Sequence, residues 1–142
     1  MSELPGGGHG QAAPRHPHPA LVALAALLFL EAVALAGLTA FLVFELFATR
    51  TDSFVGGLAV VVLTAGAAAW LFAMAVGALR GAPWIRGAAV TFHVLQIAVA
   101  VGAFQGAFAR PEVGWLLLLP AIAVLALLFS RPVVAATRRD PA

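Results

Sequence analysis

Glu31 offers more chemistry than any other residue in this 142-residue chain, because of where it stands. The run from Ala20 to Phe47 is apolar apart from Glu31, Thr39 and Glu45, and Glu31 lies eleven residues into it. An ionisable group in such surroundings costs from about 2.5 kcal/mol upward and marks a functional candidate. A carboxyl there can bind a cation or carry a proton. A later apolar run, Ala88 to Ala109, holds His93, Gln96 and Gln105. His93 and Gln96 are three residues apart and so share one face of a helix, and imidazole suits proton exchange near neutral pH. Counted from Arg86, their depth is similar to that of Glu31. A Glu31–His93 or Glu31–Gln96 contact is therefore expected if the two helices pack. Such a cluster has two readings: an interhelical clasp that fixes register, or a site that binds a cation or relays a proton.

The remaining polar residues carry less. Glu45 is fourteen residues beyond Glu31, on nearly the same helical face, and is read as interfacial, able to meet Arg50. Gln105 points away from Gln96, near the far end of its run. His9, His16 and His18 stand in a Gly- and Pro-rich stretch and make at most a weak metal site. There is no Cys, which excludes disulfides, zinc–thiolate sites, iron–sulfur clusters and cysteine nucleophiles. The sequence holds no phosphate-binding glycine loop, no His-Glu-x-x-His, no Gly-x-Ser-x-Gly and no cluster of intramembrane aspartates. Haem ligation needs two facing intramembrane histidines, and one chain supplies only His93. No enzyme, no metal centre and no cofactor is expected.

These side chains must be positioned by helices in lipid. Hydrophobic residues make up 63% of the chain and charged ones 10%, and the mean hydropathy is +1.03. Water-soluble domains run at roughly 45–50% apolar and about 25% charged, and a small domain cannot bury so much apolar surface. A helix of about 20 apolar residues crosses a hydrocarbon core of roughly 30 Å. Four runs qualify: 20–47, 54–79, 88–109 and 113–136, the last short unless it continues past Phe129. They are continuous rather than alternating, which selects helices over a barrel. Residues 1–19 are expected to form a disordered cytoplasmic tail, residues 20–136 the membrane domain and residues 137–142 a second cytoplasmic tail. The fold expected is all-α, a polytopic four-transmembrane-helix bundle.

Arginine sets the expected orientation. Arg15, Arg80, Arg86, Arg131, Arg138 and Arg139 fall on one side, against Arg50 and Arg110 on the other. By the positive-inside rule both termini are cytoplasmic. The net charge of +2 is scattered rather than clustered, so nucleic acid is not an expected partner. Trp84 and Trp115 lie at opposite boundaries as interface anchors, and Arg80 and Arg86 flank Trp84 where lipid phosphates lie. Lys, Asn and Tyr are absent while Ala, Gly, Leu and Val abound, the mark of a high-GC genome.

Two rows of small residues at intervals of four, Ala65-Ala69-Ala73-Gly77 and Ala98-Gly102-Gly106, are candidate helix-packing surfaces, within one chain or between copies. Pro120 deletes the bond to the Leu116 carbonyl and is expected to kink the fourth helix. Arg50-x-Asp52 and Arg110-x-Glu112 occupy corresponding turns and are read as ordinary polar turns rather than a duplication.

Leu30-Glu31-Ala32, the block Arg80-Gly81-Ala82-Pro83-Trp84-Ile85-Arg86-Gly87 and Gln96 ten residues beyond Arg86 carry a resemblance over residues 20–136. The chain resembles the uncharacterised small four-helix integral membrane proteins of actinobacteria, which implies a fold but no mechanism. It is also similar to the small multidrug resistance transporters, through four short helices and a membrane-embedded glutamate in the first. That likeness implies that proton and cationic drug compete at Glu31. The chain departs from it in having no Tyr, no Trp in the middle of the third helix and a strong charge bias. The function expected is that of a small accessory or assembly component of the bacterial cell membrane, with a proton-coupled transporter using Glu31 as the alternative. The expected partners are the lipid bilayer and either a second copy or a larger membrane complex.

Overall fold

A computed structural model describes residues 16–49, 53–106 and 109–138. Five helices follow one another: α1 Pro19–Ala48, α2 Phe54–Leu79, α3 Ile85–Phe104, α4 Pro111–Leu128 and α5 Arg131–Ala136. The first four are long and apolar enough to cross a membrane, and the described residues contain no strand. This is a multi-pass membrane protein built as a four-helix bundle. At about 1.5 Å per residue α1 is roughly 45 Å long and α4 roughly 27 Å. The first must tilt or protrude, and the last only just spans.

Local chemistry sets the ends. Pro19 occupies the first turn of α1, where its missing N–H costs nothing, and His18 Nδ1 accepts from the Ala20 N–H at 3.1 Å. Ser53 caps α2 by accepting from the Gly56 N–H at 3.2 Å. At its other end α2 closes with the paired bonds of a Schellman motif: Ala82 N–H to the Gly77 carbonyl and Gly81 N–H to that of Ala78, both 3.0 Å. Gly81 takes the left-handed conformation this requires, at φ +63°.

Two boundaries differ from the sequence expectation. The third helix runs from Ile85 to Phe104, not 88–109. Gln105 is extended, Gly106 has φ +93°, and the Arg110 N–H returns to the Ala103 carbonyl at 2.8 Å. The fourth span does not continue to 136 as one helix: α4 stops at Leu128, Ser130 is extended at ψ 145°, and α5 restarts at Arg131. Pro132 explains the break, since within a continuous helix it would clash with the Leu128 carbonyl. Restarting at Arg131 puts it in a first turn, where no such bond is needed. Pro120, by contrast, is carried inside α4. The tail residues 1–15, with His9 and Arg15, lie outside the described residues, as do Arg50, Asp52, Arg139 and Asp140.

The helices form two hairpins, α1 with α2 and α3 with α4. They meet where α1 borders α4 and where the α2–α3 turn joins them, and no described Cα of α1 comes within 8 Å of one in α3. Leu21, Leu24, Leu28 and Ala32 of α1 pack with Leu71, Met74 and Ala78 of α2, Ile85 and Ala89 of α3, Val124 and Leu128 of α4, and Val133 of α5. That core sits at the end holding the start of α1 and α5.

The small-residue rows are not where this packing occurs. On α2 the buried positions are Ala68, Leu71, Met74, Ala75, Gly77 and Ala78, so of the row Ala65-Ala69-Ala73-Gly77 only Gly77 is buried and the other three are exposed. Ala98 and Gly102 are exposed as well, and Gly106 lies beyond α3. A strict interval of four rotates about 40° per step, so such a row leaves any one face within three steps. Alternating intervals of three and four stay on it.

Candidate functional site

The bundle brings Glu31, His93 and Gln96 together. His93 is fully buried, and the Glu31 side chain is 11% exposed. His93 Nε2 lies 3.0 Å from Glu31 Oε2, and Gln96 Nε2 lies 3.2 Å from Glu31 Oε1. Gln96 Nε2 also donates to the Leu117 carbonyl on α4 at 3.0 Å. On the opposite side of the imidazole, Nδ1 lies 2.7 Å from the Ala89 carbonyl, one helical turn back. Since no described Cα of α1 comes within 8 Å of one in α3, the cluster spans the diagonal of the bundle through its side chains. The sequence expectation of two packed helices placed these groups together for a different reason.

Hydrogen positions follow from the partners. The Ala89 carbonyl can only accept, so His93 Nδ1 carries a proton and donates. The Leu117 carbonyl can only accept, so the Gln96 nitrogen faces it, and its second N–H goes to Glu31 Oε1. That oxygen is then an acceptor, and any proton on the carboxyl sits on Oε2. Between Oε2 and Nε2 one proton suffices. It lies either on nitrogen, giving an imidazolium–carboxylate pair, or on oxygen, giving a neutral acid hydrogen-bonded to a neutral imidazole. Both forms have zero net charge, and so the pair can exist in an apolar interior where a lone carboxylate would be costly.

Two participants were invisible in the residue types: the carbonyls of Ala89 and Leu117. The first is available because a helical side chain reaches the carbonyl one turn behind it. The second has a signal in Pro120. A proline in α4 leaves the Leu116 carbonyl without its donor and pushes the backbone there aside, and polar side chains of neighbouring helices satisfy groups loosened in this way. Gln96 bonds the adjacent carbonyl.

The other candidates stand apart from this cluster. Arg80 is the exposed C-cap of α2, and Arg86 lies in the first turn of α3, its Nε buried without a hydrogen-bond partner among the described residues. The Trp84 indole folds back over Gly77 and stacks at a tilt on Trp70, with centroids 6.1 Å apart. Trp115, at the opposite end, meets Phe104 edge-on at 5.5 Å. Glu45 is partly buried, and its carbonyl accepts from the Thr49 hydroxyl at 2.7 Å; its expected partner Arg50 lies outside the described residues. Gln105 is exposed. His18 spends Nδ1 on capping α1. Among the described residues no three His, Cys, Asp or Glu side chains converge on a point.

Comparison with protein-family models, with curated proteins and with solved structures returned no match.

Proposed function

We propose that this is a small non-enzymatic accessory or assembly component of a bacterial cell membrane, with both termini cytoplasmic, and that Glu31, His93 and Gln96 form the clasp holding its two hairpins in register. The observation that carries this reading is the completeness of the cluster. The imidazole nitrogens, both Gln96 N–H groups and both Glu31 oxygens have partners. The two shallow surface grooves along α2, at Val55–Leu63 and at Phe72–Trp84, are lined by other residues. The donors of the cluster are spent within it, and what remains to offer is acceptor capacity alone, on Gln96 Oε1 and the second lone pairs of the Glu31 carboxyl. Leu30-Glu31-Ala32, the Arg80–Gly87 block and Gln96 support grouping the chain with the small actinobacterial four-helix membrane proteins.

Purification of the full chain in mild detergent tests the reading: a stoichiometric larger membrane complex should accompany it. A reporter fused after Asp140 should be active inside the cell. Activity only outside would overturn the orientation.

A proton-coupled transporter is the second reading, favoured by the single proton shared between Glu31 and His93 and by the small exposure of the carboxyl. It requires that lipophilic cations release protons from the purified protein and that Glu31→Gln abolish the release. The clasp predicts no release from either form.

A further inference from the structure

Beyond the clasp, the end of the bundle that carries α5 holds a second feature built from the chain's own chemistry. A lateral groove of about 520 Å³ runs along the last turns of α2, lined by Phe72, Ala73, Val76 and Gly77, walled by Trp84 and ending at Arg80. From Phe72 to Arg80 it follows about 12 Å of helix, close to the roughly 15 Å depth of one leaflet. Its walls are apolar and its terminal side chain is a cation. Trp84 is also the N-cap residue of α3, a helix start with no side-chain cap and no acidic residue in its first turn. Its Ile85 N–H turns back to the Ala82 carbonyl at 3.4 Å, which leaves the Arg86 and Gly87 N–H groups to meet an anion.

The surroundings have the same sign. Among the described residues this end carries Arg80, Arg86, Arg131 and Arg138 and no acid, whereas Glu45 and Glu112 lie at the other. A comparable groove between the turns of α2 at that other end, lined by Val55, Leu58 and Val62, has no charged lining. It suits any lipid chain.

We propose that the α2 groove holds one acyl chain of an anionic glycerophospholipid, with its phosphate between Arg80 and the uncapped start of α3. The chain supplies apolar contact along Phe72–Val76, and the cation selects the headgroup. One arginine at a membrane surface is worth about 1 kcal/mol toward an anionic lipid, roughly a fivefold preference.

The full-length protein carrying Trp70→Phe and Trp115→Phe, reconstituted in vesicles, leaves Trp84 as the sole indole reporter. Phosphatidylglycerol with brominated chains should quench Trp84 at about one fifth of the mole fraction that brominated phosphatidylcholine needs. Arg80→Ala should remove most of that preference, leaving only what Arg86, Arg131 and Arg138 contribute to any anionic lipid at this end, and Arg80→Lys should keep the preference. Ala73→Phe, which fills the groove, should weaken quenching by both. Equal quenching by the two lipids in the Arg80 protein would mean ordinary surrounding lipid and overturn the site. Insensitivity to both Arg80→Ala and Ala73→Phe would do the same. Relief of quenching by inorganic phosphate, beyond that of sodium chloride at equal ionic strength, would mark a free-anion site and overturn the lipid assignment.

Discussion

The two ends of the bundle are packed in different ways. At the end that gathers the start of α1, the α2–α3 turn and α5, side chains from all five helices interlock, and Leu24, Leu28, Met74, Ile85 and Val124 are fully buried. At the opposite end Leu46 is the only buried side chain in the second half of α1, while Phe41, Phe44 and Phe47 face outward. In water the second arrangement would fail. In lipid an outward Phe is solvated as well as an inward one, and helices associate only where close packing or hydrogen bonds favour it. The comparison teaches that one end supplies the cohesion and the other tolerates separation. Leu28→Ala should therefore lower unfolding free energy in detergent by about 2 kcal/mol, near the low end for Leu→Ala because the cavity term survives while the transfer term fades in lipid. Phe44→Ala should change it by less than about 0.5 kcal/mol. Equal effects would erase the distinction between the ends.

The open end nevertheless has close contacts: a Cβ on Gly57 would stand 2.6 Å from Leu46 Cδ1, and a second contact, between α3 and α4, sharpens the contrast. A Cβ on Gly114 would stand 2.6 Å from Cζ of Phe104, whose ring also meets Trp115 edge-on. Here α3 and α4 approach through a glycine and an aromatic ring rather than an interlocked core. Gly114→Val should cost about 1–2 kcal/mol by overpacking, and adding Phe104→Ala should recover most of it. A thermal-unfolding series in one detergent measures both. If the double variant is no more stable than the single, the α3–α4 contact at this end does not depend on that ring.

Much of this architecture was legible in the residues, for a physical reason. A span must supply about 20 apolar residues, and the turns between spans must carry the groups lipid refuses, so Arg80–Arg86 and Arg110–Glu112 delimit helices visibly. Glu31, His93 and Gln96 stood out because each is expensive where it lies. The buried face of each helix was not legible. These helices are apolar all round, so the pattern that marks a core-facing stripe in water is missing, and the rows Ala65-Ala69-Ala73 and Ala98-Gly102 lie off the buried face of the single chain. Nor did the sequence reveal that α1 and α3 are diagonal partners. Side-chain reach, rather than helix contact, joins Glu31 to His93. The break at Ser130 was signalled by Pro132, but an apolar run on both sides concealed it.

The clasp stands where the packed end gives way to the open one: Ala32 belongs to the buried core, and most of α1 beyond Leu35 is exposed. Its energetic share should be the smallest of the three, because intramembrane hydrogen bonds contribute about 0.6 kcal/mol on average. What distinguishes it is the pattern among substitutions. Glu31→Gln keeps every bond: the new amide accepts from Gln96 through its oxygen and donates its N–H to His93 Nε2, the lone-pair nitrogen of the tautomer set by Ala89. Glu31→Leu keeps none and leaves His93 Nε2 and one Gln96 N–H without partners. Glu31→Gln should thus unfold within about 0.5 kcal/mol of the original chain, and Glu31→Leu should lose about 1 kcal/mol. A double-mutant cycle of Glu31→Leu with His93→Leu should return a coupling near 0.6 kcal/mol. A Glu31→Gln chain as unstable as Glu31→Leu would mean that the carboxyl's charge, not its hydrogen-bond geometry, secures the diagonal.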